Sequence, residues 1–334
     1  MKIFITNLPS FYKINLYNRI NEKCPLLVVY TGLDGSDRND DFFRGEMSFR
    51  YIMLRGCLFQ KILQTIKVLY LNKYEELILS GWDTPINWVA AYLSKKRKNS
   101  IVVESSIKES KVEGIKGWIK KIFCQRISKG YVSGHPHAKL LEALDFRGEI
   151  IITKGVGIFN YIPQPAYVPR KEVTNFIFVG RLVPVKNIEL LIQVFNTCPD
   201  LHLDIVGFGV LENYLKGLAC RNISFQGAID NKQLPYIYQK SDVFILPSKS
   251  EPWGLVVEEA LNNGLPVIIS DRVGCGDDVV TSENGLKFMW NDPQSLLQAI
   301  RQMQDINFYN QLRANIAKMD FAQIAEDQVN CYIR

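Results

Sequence analysis

At 334 residues, with 47% hydrophobic and 22% charged residues, the chain has the length of two domains and the composition of a globular protein. No apolar run reaches the roughly 20 residues of a membrane-spanning helix. Seven scattered cysteines without a CxxC pair, three histidines and no Asp-x-Asp pair point to free thiols in a reducing cytoplasm and away from a bound metal. The net charge of +6 is uneven: Lys95–Lys129 alone is +8, with eleven Lys/Arg against three Glu.

The start, Met1-Lys2-Ile3-Phe4-Ile5-Thr6, reads as a short strand rather than a signal peptide. Strand patterns follow at Leu26–Tyr30, Glu76–Ser80, Ser100–Glu104, Gly130–Ser133 and Glu149–Thr153. Helical patterns lie between most of them, near 14–22, 57–72, 85–95, 115–128 and 136–144. Within the basic region, 107–129 mixes Ile115, Trp118, Ile119, Ile122 and Phe123 with Lys116, Lys120, Lys121 and Arg126. That spacing gives a helix with an apolar stripe and a basic face. Two readings stay open: a core-packed helix with a solvated face, or a contact with an anionic membrane surface. No motif for binding nucleic acid accompanies the charge.

Three prolines within Pro163–Pro169 read as a linker. Strands resume at Asn175–Val179, Leu201–Val206, Asn222–Gln226, Asp242–Leu246, Leu265–Ile269 and Gly285–Phe288, and the chain is helical from about Asp292. Strand–helix alternation on both sides of the linker predicts an α/β protein of two doubly wound, Rossmann-like domains facing a cleft. The expected domains are 1–168 and 169–319, with a terminal helix at 320–334 packing back on the first.

The densest chemistry lies in PSKSEPWGLVVEEALNNGLPVIISDRVGCG, residues 247–276. Glu251 falls on a loop after a strand, and Glu259 falls on the helix that follows. A helix start at the carboxyl end of a parallel strand binds phosphate through backbone N–H groups. Amides flanked by two carboxylates suit a nucleotide sugar, with the diphosphate on the amides and the sugar hydroxyls on the carboxylates. In FIFVGRLVPVKNIELLIQVF, Gly180 permits a turn, Arg181 and Lys186 add two cations, and Asn187 is a suitable helix N-cap. Gly207-Phe208-Gly209 lacks the third glycine of a dinucleotide fingerprint, so Gly209 is either a point of close ligand approach or a tight turn. Phe225–Ile229 ends a strand where backbone groups can hold a nucleobase.

These segments resemble glycosyltransferase family 4, the retaining enzymes of GT-B fold. The resemblance runs through VGRLVPVKN, VGFGVLE, SFQGAI, SDVFILPS and the Glu-x7-Glu signature SEPWGLVVEEALNNGLPVI; NLPSFYKINLYN and YVSGHPH in the first half resemble polysaccharide-building members. It implies that Arg181 and Lys186 hold the diphosphate, that the amides of Gly254, Leu255 and Val256 hold its distal phosphate, and that Glu259 binds the ribose. It places Glu251 beside the donor sugar as a catalytic group. Gly209, Gln226, Ile229 and Trp253 complete the implied donor site. The family's N-terminal Gly-Gly pair is missing; Asn7–Ser10 stands in its place.

On the acceptor side Ser10, Asp83, Glu104 and His135 follow strand ends, and His137 is a further catalytic candidate. The expected activity is transfer of a hexose or N-acetylhexosamine, from a UDP-sugar in preference to others, to a lipid-linked oligosaccharide of a bacterial surface polysaccharide. No cofactor and no metal is expected. A nucleotide-sugar epimerase, a dinucleotide-dependent oxidoreductase and a non-catalytic sugar-nucleotide sensor are the alternatives. The expected location is cytoplasmic, peripheral at the inner face of the cell membrane.

Overall fold

The computed structural model describes residues 1–32, 40–43 and 45–333. The chain divides into two compact units, Met1–Phe159 with Ala322–Arg334, and Asn160–Phe321.

The first unit holds a parallel sheet of β1 (Lys2–Thr6), β2 (Leu26–Tyr30), β3 (Arg50–Met53), β4 (Glu76–Leu79), β5 (Asn99–Val103), β6 (Lys129–Val132) and β7 (Glu149–Ile152), ordered β3-β2-β1-β4-β5-β6-β7. Its helices are α1 (Phe11–Lys23), α2 (Leu58–Leu71), α3 (Pro85–Leu93), α4 (Gly114–Cys124) and α5 (His135–Ala143). Strands buried on both faces read as continuous apolar runs, which is why KIFIT, LLVVY and ELIL stand out in the sequence. Alternate residues feed two cores. Ile3, Ile5, Leu77 and Leu79 pack with Val68 of α2, Ile86 of α3, Phe123 of α4 and Leu141 of α5. Phe4, Val28 and Ile78 pack on the other face with Ile14 and Tyr17 of α1 and with residues from the chain's end. Glu76 is a buried hub: Lys2 Nζ donates to it at 2.5 Å, Ser100 Oγ at 2.5 Å and Tyr131 OH at 2.9 Å.

The second unit holds β8 (Asn175–Val179), β9 (His202–Val206), β10 (Ile223–Gly227), β11 (Val243–Leu246), β12 (Val267–Ser270) and β13 (Gly285–Phe288), all parallel and ordered β10-β9-β8-β11-β12-β13. Its helices are α6 (Ile188–Phe195), α7 (Glu212–Leu218), α8 (Leu234–Lys240), α9 (Leu255–Asn262), α10 (Pro293–Met303) and α11 (Ile306–Ile316). The last helix, α12 (Phe321–Cys331), leads into the first unit, where Glu326 pairs with Arg19 and Lys23 and Tyr332 stacks on Tyr131 at 4.5 Å.

The proline-rich segment is strapped to the second unit. Asn262 Nδ2 donates to Ile162 O, Gln164 Nε2 to Ile316 O, and Arg313 Nη1 to Val168 O. Its extended carbonyls find side-chain donors because prolines leave no strand partner.

Candidate functional site

Chain order reverses between β8 and β11, which pair directly through Val243↔Phe176 and Phe244↔Ile177. At such a switch point the loops leaving neighbouring strands diverge and open a crevice at their carboxyl ends. These are the loops that hold Arg181–Lys186 and Glu251.

Beyond β8, Gly180 N–H donates to Val206 O and Leu182 N–H to Phe208 O, fixing this loop against the one after β9. Arg181 is half-buried and forms no ion pair among the described residues. A short 3-10 turn, Pro184–Lys186, brings Lys186 forward, and Lys249 N–H donates to Val185 O at 2.8 Å. Lys186 Nζ then pairs with Glu251 Oε2; each side chain is 14% exposed. Glu251 is held from behind, since its carbonyl accepts from Gly274 N–H at 2.8 Å. Asn187 occupies the N-cap position of α6 but does not cap it. Its φ is +58°, and its amide donates to Trp290 O instead.

Gly254 starts α9 with φ of +100°. A side chain there would put Cβ 3.1 Å from Val273 Cγ1 and 3.4 Å from Glu251 Cγ, so both conformation and space require glycine. Val257 N–H bonds back to Gly254 O, whereas the N–H groups of Leu255 and Val256 lie in the first turn, without an intrahelical acceptor. They form the positive end of α9, on the same loop–helix segment as Glu251.

Behind this turn lie two carboxyls of unusual proton affinity. Glu258 is 6% exposed and accepts from Trp253 Nε1 at 2.7 Å; burial raises its pKa to about 8, against the opposing effect of that bond. Burial also raises Glu259 to about 8. The charge of Glu258 adds to this, and the hydroxyl of Tyr238 offsets part of it. Neither Glu258 nor Tyr238 stood out in the sequence. A glutamate in VVEEAL reads as solvent-facing, and Tyr238 lies 21 positions before Glu259 on another helix.

Other expected donor residues have different surroundings. Trp253 is 2% exposed, and its indole N–H is engaged by Glu258, so its ring belongs to the core and not to a ligand surface. Gly209 makes a close backbone approach, but to Leu182: an added Cβ would sit 2.5 Å from Leu182 O. Gln226 is exposed at an irregularity in the β9–β10 register and donates to Asp204 Oδ1 at 2.6 Å. Ile229 is half-buried in the loop before α8.

In the first unit, Ser10 precedes α1 with its hydroxyl buried and unpartnered among the described residues. Glu104 leaves the end of β5 and pairs with Lys13 at 2.8 Å. Burial pulls the Lys13 pKa down, but Glu104, Tyr12 and Tyr17 outweigh it and hold the ammonium above its ordinary range. Lys13, Tyr17, Ser80, Glu104 and Tyr332 line a small pocket within this unit. Asp83 is exposed; Thr84, not Asp83, caps α3. His135 is exposed at the start of α5, and His137, two residues on, is fully buried. No described group of three His, Cys, Asp or Glu is placed to hold a metal, and no described helix is long and apolar enough to cross a membrane.

Residues 164–319 match the family Glycosyl transferases group 1. The second unit is a group 1 glycosyl transferase domain. The O-antigen biosynthesis glycosyltransferase WbnH of Escherichia coli is 34% identical over 172 residues, covering 48% of each chain. The chain spans about half or less of the length of the curated relatives it matches. Over its full length the fold is similar to sucrose-phosphate synthase from Thermosynechococcus elongatus (TM-score 0.77, 18% identity, 99% of this chain and 98% of that one). It is also similar to Anabaena Alr3699/HepE, solved in complex with UDP and glucose (TM-score 0.71, 16% identity, 98% and 97%). The two-sheet architecture is the GT-B fold.

Proposed function

We propose that this protein is a retaining glycosyltransferase of family 4 that moves a hexose or N-acetylhexosamine from a UDP-sugar to a sugar hydroxyl of a lipid-linked oligosaccharide in bacterial surface polysaccharide synthesis. One observation carries the reading: Lys186 meets Glu251 at the switch point, on the loop that runs into the open first turn of α9. Breaking the sugar–diphosphate bond builds negative charge on the distal phosphate and positive charge on the anomeric carbon. Arg181, Lys186 and the Leu255 and Val256 amides stabilise the first without a metal. Glu251 orients the sugar. It attacks the anomeric carbon if the reaction runs by double displacement; in a same-face reaction a phosphate oxygen takes the acceptor proton. Glu259 binds the ribose hydroxyls, and Ser10, Glu104 and Asp83 of the first unit bind acceptor hydroxyls in the cytoplasm. HepE's complex with UDP and glucose and the O-antigen role in WbnH's name support the donor and acceptor classes.

Thermal-shift measurement with UDP-, GDP-, ADP- and TDP-sugars tests the donor. Saturation at a hundred times the dissociation constant stabilises the fold by about 2.7 kcal/mol. The UDP-sugar is expected to shift wild type and to shift Lys186→Met much less. Equal shifts in both proteins, or none with any nucleotide sugar, defeat the reading. Incubation with donor alone separates transfer from epimerisation, which yields a new sugar isomer without acceptor.

A further inference from the structure

One face of the first sheet carries α2, α3 and α4 side by side, and their outer sides leave large apolar groups in solvent. On α2, Phe59, Leu63, Ile66 and Tyr70 recur at spacings of four, three and four. They form one stripe and are 67, 49, 36 and 88% exposed. Thr65 and Val68, on the opposite side, are buried. On α3, Tyr92 and Leu93 are exposed; on α4, Ile115, Trp118 and Ile119 are exposed, Trp118 by 63%. The core takes only Gly117, Phe123 and Cys124 from α4, so the stripe that the sequence left between core and membrane is largely free of the core. The helices adjoin. α2 packs along α3. Trp88 of α3 meets Phe123 of α4 edge-on at 5.1 Å, and Arg126 lies 4.9 Å over Tyr92.

Cations surround these groups. Arg50–Lys73 contains Arg50, Arg55, Lys61, Lys67 and Lys73 and no acidic residue. Lys95, Lys96 and Arg97 after α3, and Lys116 on α4, are exposed. The next carboxylates along the chain are engaged, Glu75 by the N-terminus and Glu76 by Lys2.

We propose that the α2–α3–α4 face docks on an anionic lipid bilayer, with the apolar stripe entering the headgroup–acyl boundary and the cations at the headgroups. The surface extends well beyond 107–129 and stands independently of the donor site. Aromatic and aliphatic groups beside exposed lysines match an interfacial helix, and each cation near an anionic surface adds ~1 kcal/mol. A second copy is a poorer occupant: paired α2 helices would bring the same cations together with no carboxylate on 50–73 to neutralise them.

Co-sedimentation with phosphatidylcholine vesicles, with and without phosphatidylglycerol, tests this without turnover. Wild type is expected on the anionic vesicles only. The pair Phe59→Ser with Tyr70→Ser on α2, and separately Trp118→Ser on α4, each lower the partition coefficient about ten-fold. Lys67→Glu with Lys73→Glu lowers it similarly while leaving the apolar stripe untouched, and its circular dichroism and melting match wild type. The proposal is overturned if wild type ignores anionic vesicles, if it binds neutral ones equally, or if both α2 variants bind as wild type does. A concentration-dependent dimer lost in the α2 variants would overturn it in favour of self-association.

Discussion

Glu258→Gln should change how the second unit responds to pH. Glu258 binds its proton more tightly when folded, with a pKa of about 8 against an ordinary 4.5, because burial disfavours the carboxylate. A group raised in this way contributes stability that is full below about 4.5 and is lost as pH rises through about 8. In that window each such carboxyl removes ~1.4 kcal/mol per pH unit. From pH 6 to 8 Glu258 alone accounts for roughly 2.5 kcal/mol, or ~5–10 °C in the melting of a unit this size. The glutamine of this variant would keep an oxygen for the Trp253 indole, now 2.7 Å from Glu258, and has no proton to lose. The variant should therefore melt near wild type below about pH 4.5, already above it at pH 6 and further above it at pH 8. The residual slope belongs to Glu259, itself reduced because the charge on Glu258 no longer pushes its neighbour up. Scanning calorimetry at half-unit pH steps follows the melting of both proteins. If both proteins lose melting temperature in parallel between pH 6 and 8, Glu258 is not held protonated and the argument fails.

Lys186→Met should slow UDP release during transfer by ~10²–10³-fold with the fold intact, as expected for loss of one donor to a developing oxyanion; a rate within three-fold of wild type contradicts its role. Gly254→Ala forces a side chain onto a φ of +100° and against Val273. It should cost ~1–3 kcal/mol in urea unfolding and weaken donor affinity together. Glu76→Ala strands the Lys2 ammonium, which is only 8% exposed, and should destabilise the first unit by ~3–5 kcal/mol. Glu76→Gln should cost less, since it keeps an acceptor for Tyr131.

The buried parallel strands are legible because both of their faces are apolar. RYIM does not stand out for the opposite reason: β3 is an edge strand, mostly exposed and carrying Arg50, so its pattern does not separate from a loop. Periodicity shows that α4 has two faces but not which apolar residues meet the core, because Val112 under Gly117 and Trp88 against Phe123 settle its rotation from other segments. At the site, Gly254 and the two cations are legible from local backbone chemistry. Trp253 reads as ligand-facing in the sequence because its partner, Glu258, is chosen by packing within the unit.

The Lys186–Glu251 pair shows how the site depends on the sheet rather than on either loop. The two residues are 65 positions apart, and neither loop alone has reason to present its side chain to the other. They meet because β11 pairs with β8, so both carboxyl ends rise together, and because Lys249 N–H bonds Val185 O just beyond them. On the far side, the Glu251 carbonyl is held by Gly274, where an added Cβ would strike Pro252 O at 1.7 Å. The charged tips are thus fixed by backbone bonds from three strand ends. A change to the backbone at Gly274 should therefore disturb Glu251 as effectively as a change to Glu251 itself.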